Sequence, residues 1–179
     1  MSIAADSKDW TWVLYAACPQ CGLDTRKVPA VGIAGMLRSN AARWLVVLDH
    51  TVVRDRPAPG VWSPLEYACH VRDVFVLFAE RLQLMLTRAD PLLANWDQDA
   101  TAVQEQYGRQ DPRRVAAQLS TAAERLAALF EQVSDSQWAR TGRRSDGAQF
   151  TVESFGRYLV HDPIHHLYDV TGRRHGEEG

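Results

Sequence analysis

Two histidines four residues apart are the clearest candidates for chemistry in this sequence. His161 and His165 lie in a stretch whose apolar spacing predicts a helix, and residues four apart are separated by about 40° around a helix axis. Both rings can therefore reach one point. The next histidine, His166, is rotated about 140° from His161 by the same geometry, so we expect its ring to face elsewhere.

A third imidazole is available on another predicted helix. His70 follows Ser63-Pro-Leu-Glu66 by about one turn, and that tetrapeptide is a capping box with proline at the first helical position. Helical bundles build metal sites from side chains on facing helices, so we predict that His70, His161 and His165 converge. Three nitrogens with one open position suit a divalent metal, zinc in the first place, with nickel, iron or manganese as alternatives.

Three carboxylates lie near the predicted ligands. Asp169, one turn beyond the histidine pair, is placed to accept the second ring N–H of a metal-bound imidazole. Glu66 and Asp73 stand four residues before and three after His70, near the same helix face, and either is a candidate partner of that histidine or a general base. Structural roles stay open for both, Glu66 in the capping box and Asp73 in a surface ion pair with Arg72 or Arg43.

Pro163 stands between the two paired histidines, where it removes a backbone donor at a cost of roughly 3 kcal/mol in a helix interior. A kink that re-aims the two imidazoles would justify that cost, and a simple packing kink would do so equally well. Spacing alone also allows the histidine pair to be coincidental.

The cysteines offer half of a second site. Cys18-Pro-Gln-Cys21-Gly22 resembles a zinc knuckle with two thiolates, and a structural zinc ion needs four ligands. A complete four-ligand site would also require Cys69, His50, His175 or a second subunit. Two reduced cysteines in a turn are the simpler reading, and Cys69, rotated about 100° from His70, is expected to be a small buried hydrophobe.

The elements that must position these residues are helical. The periodicity of apolar residues and the capping signals predict four long helices and a short one, with no competing strand and a polar loop over 134–148. The predicted fold is an all-α antiparallel four-helix bundle with one additional short helix. We divide the chain into an irregular segment over 1–27, the bundle over 28–172 and a polar tail over 173–179. The predicted helices run over 29–49, 63–88, 97–107, 112–133 and 151–172.

Composition limits the partners. The chain is 46% hydrophobic and 23% charged with a formal charge of −2, which fits a globular domain and removes the basic surface expected of a nucleic-acid binder. No stretch is apolar enough to span a membrane, and the first residues show no secretion signal. We therefore expect a cytoplasmic protein with no nucleic-acid or membrane partner.

The stretch from Trp62 to Asp73, followed much later by His161-Asp-Pro-Ile-His165-His166, resembles the DinB/YfiT-like superfamily. The resemblance covers about residues 28–170. It implies a four-helix bundle, commonly a homodimer, in which His70, His161 and His165 occupy the positions of the family's metal ligands. It also implies the activities found in that family, which include S-transferases and isomerases that use mycothiol, bacillithiol or glutathione.

The leading functional hypothesis is a metal-dependent S-transferase or isomerase acting on a small molecule with a low-molecular-weight thiol. One alternative is a metal-dependent hydrolase with Glu66 or Asp73 as base. The other is a non-catalytic metal-binding dimerisation module, whose metal would have a closed coordination shell. No catalytic residue is assigned from the sequence.

Overall fold

A computed structural model describes residues 9–177 of the chain, in which four long helices and one short helix are the main elements. Three very short strands complete the regular structure of this region, together with several 3₁₀ turns. The helices are α1 (Ile33–Leu48), α2 (Pro64–Thr87), α3 (Gln98–Gln104), α4 (Pro112–Glu131) and α5 (Val152–Thr171), and the strands are β1 (Leu92–Leu93), β2 (Thr141–Arg144) and β3 (Gln149–Thr151).

The helix starts follow the capping signals in the sequence. The Ser63 hydroxyl accepts the Glu66 backbone N–H at 3.3 Å, and the Glu66 carboxylate accepts the Ser63 N–H at 2.8 Å, which is the predicted capping box of α2. Thr151 caps α5 in the same manner. Gly172 ends α5 with φ 68°, a left-handed conformation that glycine adopts without steric cost.

The bundle core lies between α1, α2, α4 and α5. Helix α4 packs along α1 and α2, and α5 packs on the same two helices. Large apolar side chains from all four helices are fully buried there, as the spacing of the apolar residues predicts. They include Trp44, Phe75, Leu126 and Phe155. The predicted all-α bundle is thereby confirmed in its main elements.

The structure contains a small three-stranded sheet that was not predicted from the sequence. Strand β2 lies in the stretch predicted as a polar loop, where it pairs in parallel with β1 and antiparallel with β3. Strands of two to four residues are too short to show an alternating apolar pattern. Gly142 is needed in β2, because a Cβ there would stand 2.9 Å from Met85 Cγ in α2.

The N-terminal segment described from residue 9 onward contains short 3₁₀ turns, over Trp10–Leu14 and Thr25–Lys27. It lies against α5, and the buried Thr25 hydroxyl donates to the Val13 carbonyl and ties the two turns together. No helix within residues 9–177 is long and apolar enough to cross a membrane.

Candidate metal centre

Helix α5 carries two interleaved pairs of polar side chains on the same two turns. His161 and His165 form one pair, and Asp162 and His166 form the other. Successive residues are rotated by 100° around a helix, so the two pairs face different directions. The helix is continuous through Pro163, whose carbonyl accepts a 3.0 Å hydrogen bond from the buried Asn40 side chain.

The first pair belongs to a group of four buried side chains that we call the Cys–His group: Cys18, Cys21, His161 and His165. One ligand atom of each lies within 4.8 Å of the others. Cys18 Sγ is 3.5 Å from His165 Nδ1. His161 Nε2 is buried and has no hydrogen-bond partner. This set of two sulfurs and two nitrogens could hold a metal ion.

A tight turn presents the two cysteines. The Gly22 N–H donates to the Cys18 carbonyl at 3.0 Å, and the Cys18 N–H donates to the Leu23 carbonyl at 2.9 Å. Gly22 has φ 80°, which side chains rarely allow. Both thiols point into the protein, with Cys18 1% and Cys21 0% exposed. The turn thus places the two sulfur atoms within 4.8 Å of a ring nitrogen of each histidine.

Burial favours the neutral forms of His161 and Cys21 when no cation is near. Burial is also the main reason why the pKa of His161 falls to about 4, with His165 adding to the effect. Burial likewise raises the pKa of the Cys21 thiol to about 12. A neutral imidazole is the form that binds metal, whereas a thiol must lose its proton on binding.

The second pair belongs to the His–Asp group: His70 on α2 with Asp162 and His166 on α5. Their ligand atoms again lie within 4.8 Å of one another. His70 Nε2 is 3.5 Å from Asp162 Oδ1, and His166 Nε2 is 3.8 Å from Asp162 Oδ2. Both ring nitrogens of His70 and Oδ1 of Asp162 are buried without a hydrogen-bond partner.

Charge and aromatic packing shape the His–Asp group. Burial works to raise the pKa of Asp162, but the adjacent His166 and His70 outweigh it, so that the pKa is lowered and the group is a carboxylate. The Trp96 ring stacks on His70 with centroids 5.4 Å apart, and Trp62 lies at the same distance. His70 is consequently 1% exposed.

Asp169 connects the two groups. Its Oδ2 is 3.0 Å from His166 Nδ1, and its Oδ1 is 3.7 Å from His165 Nε2. His166 directs Nδ1 at Asp169 and Nε2 at Asp162. His165 directs Nε2 at Asp169 and Nδ1 at Cys18. A carboxylate in this place fixes the tautomer and the orientation of a ligating imidazole.

A cleft of about 440 Å³ opens over α5 between the two groups. Trp10 and Trp96 form apolar walls, and hydrogen-bonding side chains dominate the rest of the surface. Its lining includes Asn95, Asp97, Asp99, Arg144, Asp146 and Tyr158, together with Asp162, His161, His165 and His166. This size and lining suit a polar small molecule.

The three histidines predicted as one ligand set are divided between the two groups. His161 and His165 lie together, whereas His70 groups with Asp162 and His166. His166 faces away from His161 and for that reason was not predicted as a ligand, but His70 lies on the side that His166 faces. The set of His70, His161 and His165 therefore stays a prediction.

Two of the predicted carboxylates have structural partners. Glu66 pairs with Arg56 and closes the capping box of α2. Asp73 pairs with Arg72 at 2.8 Å, and the Tyr107 hydroxyl donates to it. Neither carboxylate lines the cleft. The structural interpretation that the sequence left open for each of them therefore accounts for its position.

Sequence reasoning missed the composition of the Cys–His group. It named Cys69, His50 and His175 as residues that could complete the pair of cysteines, yet in the described part of the chain that group is completed by two residues of α5. The combination of C-x2-C with H-x3-H was a usable signal. Cys69 is buried in α2 as predicted, with Sγ 3.9 Å from the Tyr107 carbonyl.

Comparison of the fold with solved structures identifies several similar proteins. YfiT from Bacillus subtilis, described as a probable metal-dependent hydrolase with an unusual four-helix bundle topology, is 22% identical with a TM-score of 0.74, over 82% of this chain and 86% of YfiT. A mycothiol-dependent maleylpyruvate isomerase is 11% identical with a TM-score of 0.67, over 82% of this chain and 62% of the isomerase. These identities establish a shared fold only.

No curated protein matches the sequence. The sequence model of the DinB superfamily, in contrast, matches residues 36–170, a region that begins in α1 and ends in the last turn of α5. It includes His70 and both histidine pairs of α5, and it excludes Cys18 and Cys21. The chain therefore belongs to the DinB superfamily.

Proposed function

We propose that this protein is a metal-dependent enzyme in which His70, Asp162 and His166 hold a catalytic divalent ion, zinc in the first place. The observation that carries the proposal is the buried His70 ring. Both of its nitrogens lack hydrogen-bond partners while a carboxylate oxygen stands 3.5 Å away. A buried polar atom without a partner costs free energy, and an ion bound between His70 Nε2 and Asp162 Oδ1 would remove that cost for these two atoms.

The donor chemistry fits a catalytic site. Two imidazoles and one carboxylate are a known ligand set for zinc and for non-haem iron, and three protein ligands leave positions for other molecules. The exposed fractions of the Asp162 and His166 side chains are 32% and 20%, and both line the cleft. A metal ion bound there would lower the pKa of a thiol or a water molecule that reaches it.

Each protein side chain has a role in this proposal. Asp169 holds His166 through Nδ1 and leaves Nε2 directed at Asp162. Trp96 and Trp62 hold the His70 ring between them and exclude water from it. The protein thereby fixes the directions of the three donors before any ligand enters, which lowers the cost of ordering the site.

We propose a low-molecular-weight thiol as co-substrate, in an S-transfer or isomerisation reaction. A thiol ionises near pH 8.5, so a nearby cation is enough to favour the thiolate without a separate base. Besides Asp162, three carboxylates line the cleft, those of Asp97, Asp99 and Asp146, against one guanidinium, that of Arg144, which pairs with Asp146. Such walls favour a ligand with hydroxyl or amino groups over one rich in carboxylates, and hence a sugar-bearing thiol such as mycothiol over glutathione.

A metal-dependent hydrolase is the second candidate. Glu66 and Asp73 are tied to other partners, but the carboxylates on the cleft wall could take the role of base for a water molecule. The non-catalytic module of the sequence analysis is a poorer description of the His–Asp group, because that group opens on the cleft. We keep the homodimer as a proposal, to be tested by the mass in solution against 20.1 kDa for one chain.

The test compares thiol-dependent and thiol-free turnover in protein loaded with zinc, nickel, iron(II) or manganese. Conjugation of a bimane electrophile with mycothiol, bacillithiol or glutathione is measured beside hydrolysis of a nitrophenyl ester without thiol. We expect thiol-dependent turnover that His166→Ala and Asp162→Asn abolish and that His50→Ala, a change at an exposed histidine outside both groups, leaves intact.

Thiol-free hydrolysis alone would replace the leading candidate by the second one. Full turnover in His166→Ala combined with none in His161→Ala would move the centre to the three-histidine set. Absence of any metal-dependent reaction from a protein that binds metal would refute the enzymatic proposal.

A further inference from the structure

We propose that the Cys–His group is a separate, structural zinc site that fastens the N-terminal segment to α5. It would bind zinc through two thiolates and two imidazoles and take no part in turnover. The DinB sequence model begins at residue 36 and so contains only half of these ligands. The complete ligand set therefore extends beyond the region that the family model matches.

The distance between Cys18 Sγ and His165 Nδ1 matches that of a zinc site. Zinc–sulfur bonds of about 2.3 Å and zinc–nitrogen bonds of about 2.0–2.1 Å at a tetrahedral angle separate sulfur from nitrogen by about 3.6 Å. Cys18 Sγ and His165 Nδ1 stand 3.5 Å apart. All four ligand atoms lie within 4.8 Å of one another, so small side-chain movements bring them onto one ion.

The donor set selects the ion. Thiolate ligands disfavour magnesium, calcium and manganese, and two thiolates with two imidazoles in tetrahedral arrangement are typical of structural zinc. Two thiolates also neutralise the charge of Zn²⁺, which removes the electrostatic cost of placing a cation in the protein interior. Neutralisation of the charge matters here because the site is buried: His161 is 4% exposed, His165 is 6% exposed, and both cysteines are less exposed still.

The contacts of the group argue against a simple pair of redox thiols. A redox pair requires no imidazoles, whereas here two histidines from a distant part of the sequence meet the cysteines. His161 Nε2 is left without a partner in the interior, which costs free energy unless an ion binds. Four protein ligands leave no open coordination position, so the site is closed in the manner of structural zinc.

The proposed ion would support the reaction centre without joining it. The Trp10 ring lies 5.5 Å from His161 and 5.1 Å from His165, and it also forms part of the cleft wall. Fixing the N-terminal segment therefore fixes one wall of the cleft. Because Asp162 and His166 alternate with the zinc-bound histidines on α5, the ion would also hold the turns that carry them.

The experiment measures metal content and ligand type in the full chain. Protein purified under reducing conditions is analysed for zinc, and the zinc is then replaced by cobalt(II). We expect thiolate-to-cobalt charge-transfer absorption and the visible bands of a tetrahedral cobalt site. The Cys18→Ala/Cys21→Ala variant should lose one equivalent of metal per chain and the charge-transfer band. Cys69→Ala, the matched control at the remaining cysteine, should keep both.

The cobalt spectrum of the unmodified chain keeps the test decisive if the double variant does not fold. A cobalt-loaded wild-type chain without thiolate absorption would overturn the inference, as would the same absorption in the double variant or a Cys18–Cys21 disulfide in protein prepared under reducing conditions. The outcome is independent of the proposed function, because His166→Ala should retain the thiolate–cobalt band even if no enzymatic activity is ever found.

Discussion

The Cys–His group and the His–Asp group share two turns of α5 and differ in donors, burial and access. The first combines sulfur and nitrogen donors that are at most 6% exposed. The second combines nitrogen and oxygen donors, and its Asp162 and His166 side chains are 32% and 20% exposed. Each group contributes two side chains to the lining of the cleft. Donor number and access separate structural from catalytic metal sites. A shift of one residue on a helix, which is a rotation of 100°, is enough to change from one environment to the other.

Loss of the Cys–His group should have the largest effect on stability. Structural zinc contributes about 10 kcal/mol or more to the folding of small zinc domains, and 1 kcal/mol corresponds to roughly 2–4 °C in a chain of this size. We expect Cys18→Ala/Cys21→Ala to lower the melting temperature by at least about 10 °C in calorimetry. If the melting temperature fell no further than in the Cys69→Ala control, no ion would stabilise this group.

Asp169→Asn should lower the metal affinity of both groups, by different amounts. Removal of a carboxylate that orients a ligating imidazole typically lowers metal affinity about 10–100-fold. Asp169 lies 3.0 Å from the His166 ring and 3.7 Å from the His165 ring. We expect the larger loss at the His–Asp group when affinities are measured by chelator competition. An effect on the Cys–His group alone would contradict the proposed sharing of Asp169.

His166→Ala should leave the fold almost unchanged. Its side chain is 20% exposed and lies at the cleft, and substitutions at such positions usually change stability by about 1 kcal/mol or less. We expect a melting temperature within a few degrees of the parent, one metal equivalent fewer and an intact thiolate–cobalt band. A fall as large as that of the cysteine variant would mean that the two groups form one cooperative site.

Glu66→Gln should have the smallest effect on stability, and it should not change turnover. The carboxylate is part of a capping box and pairs with Arg56, so we expect a loss of about 0.5–1 kcal/mol in the free energy of unfolding at neutral pH. Although burial raises the pKa of Glu66, Arg56 and the Ser63 N–H outweigh it and leave the pKa lowered.

A lowered folded-state pKa means that this contribution is complete above the ordinary value of 4.5 and disappears as the pH falls further. The difference between parent and variant should therefore shrink in acid, as measured by denaturant unfolding. Any bound metal would leave both proteins in acid, so the comparison between them cancels that effect. A large loss of turnover in Glu66→Gln at neutral pH would restore Glu66 as a candidate base.

The helices could be predicted because their signals are local. The capping box at Ser63, the proline at 112 and the glycine at 172 fixed the ends of α2, α4 and α5 to within a few residues. The strands escaped prediction because two to four residues carry no measurable period, and β1 finds its partner about 50 residues away. Pairing of that kind depends on packing against α2, which no local pattern encodes.

The sequence by itself determined the helical class, the ends of the long helices and the stock of ligands. Only the tertiary structure decided which ligands meet. Local spacing fixes the angle between His161 and His165, but the direction in which that pair faces depends on how α5 is rotated against α2 and the N-terminal segment. Because adjacent positions on a helix differ by 100°, that rotation pairs His70 with Asp162 and His166 and leaves the other two histidines to the cysteines.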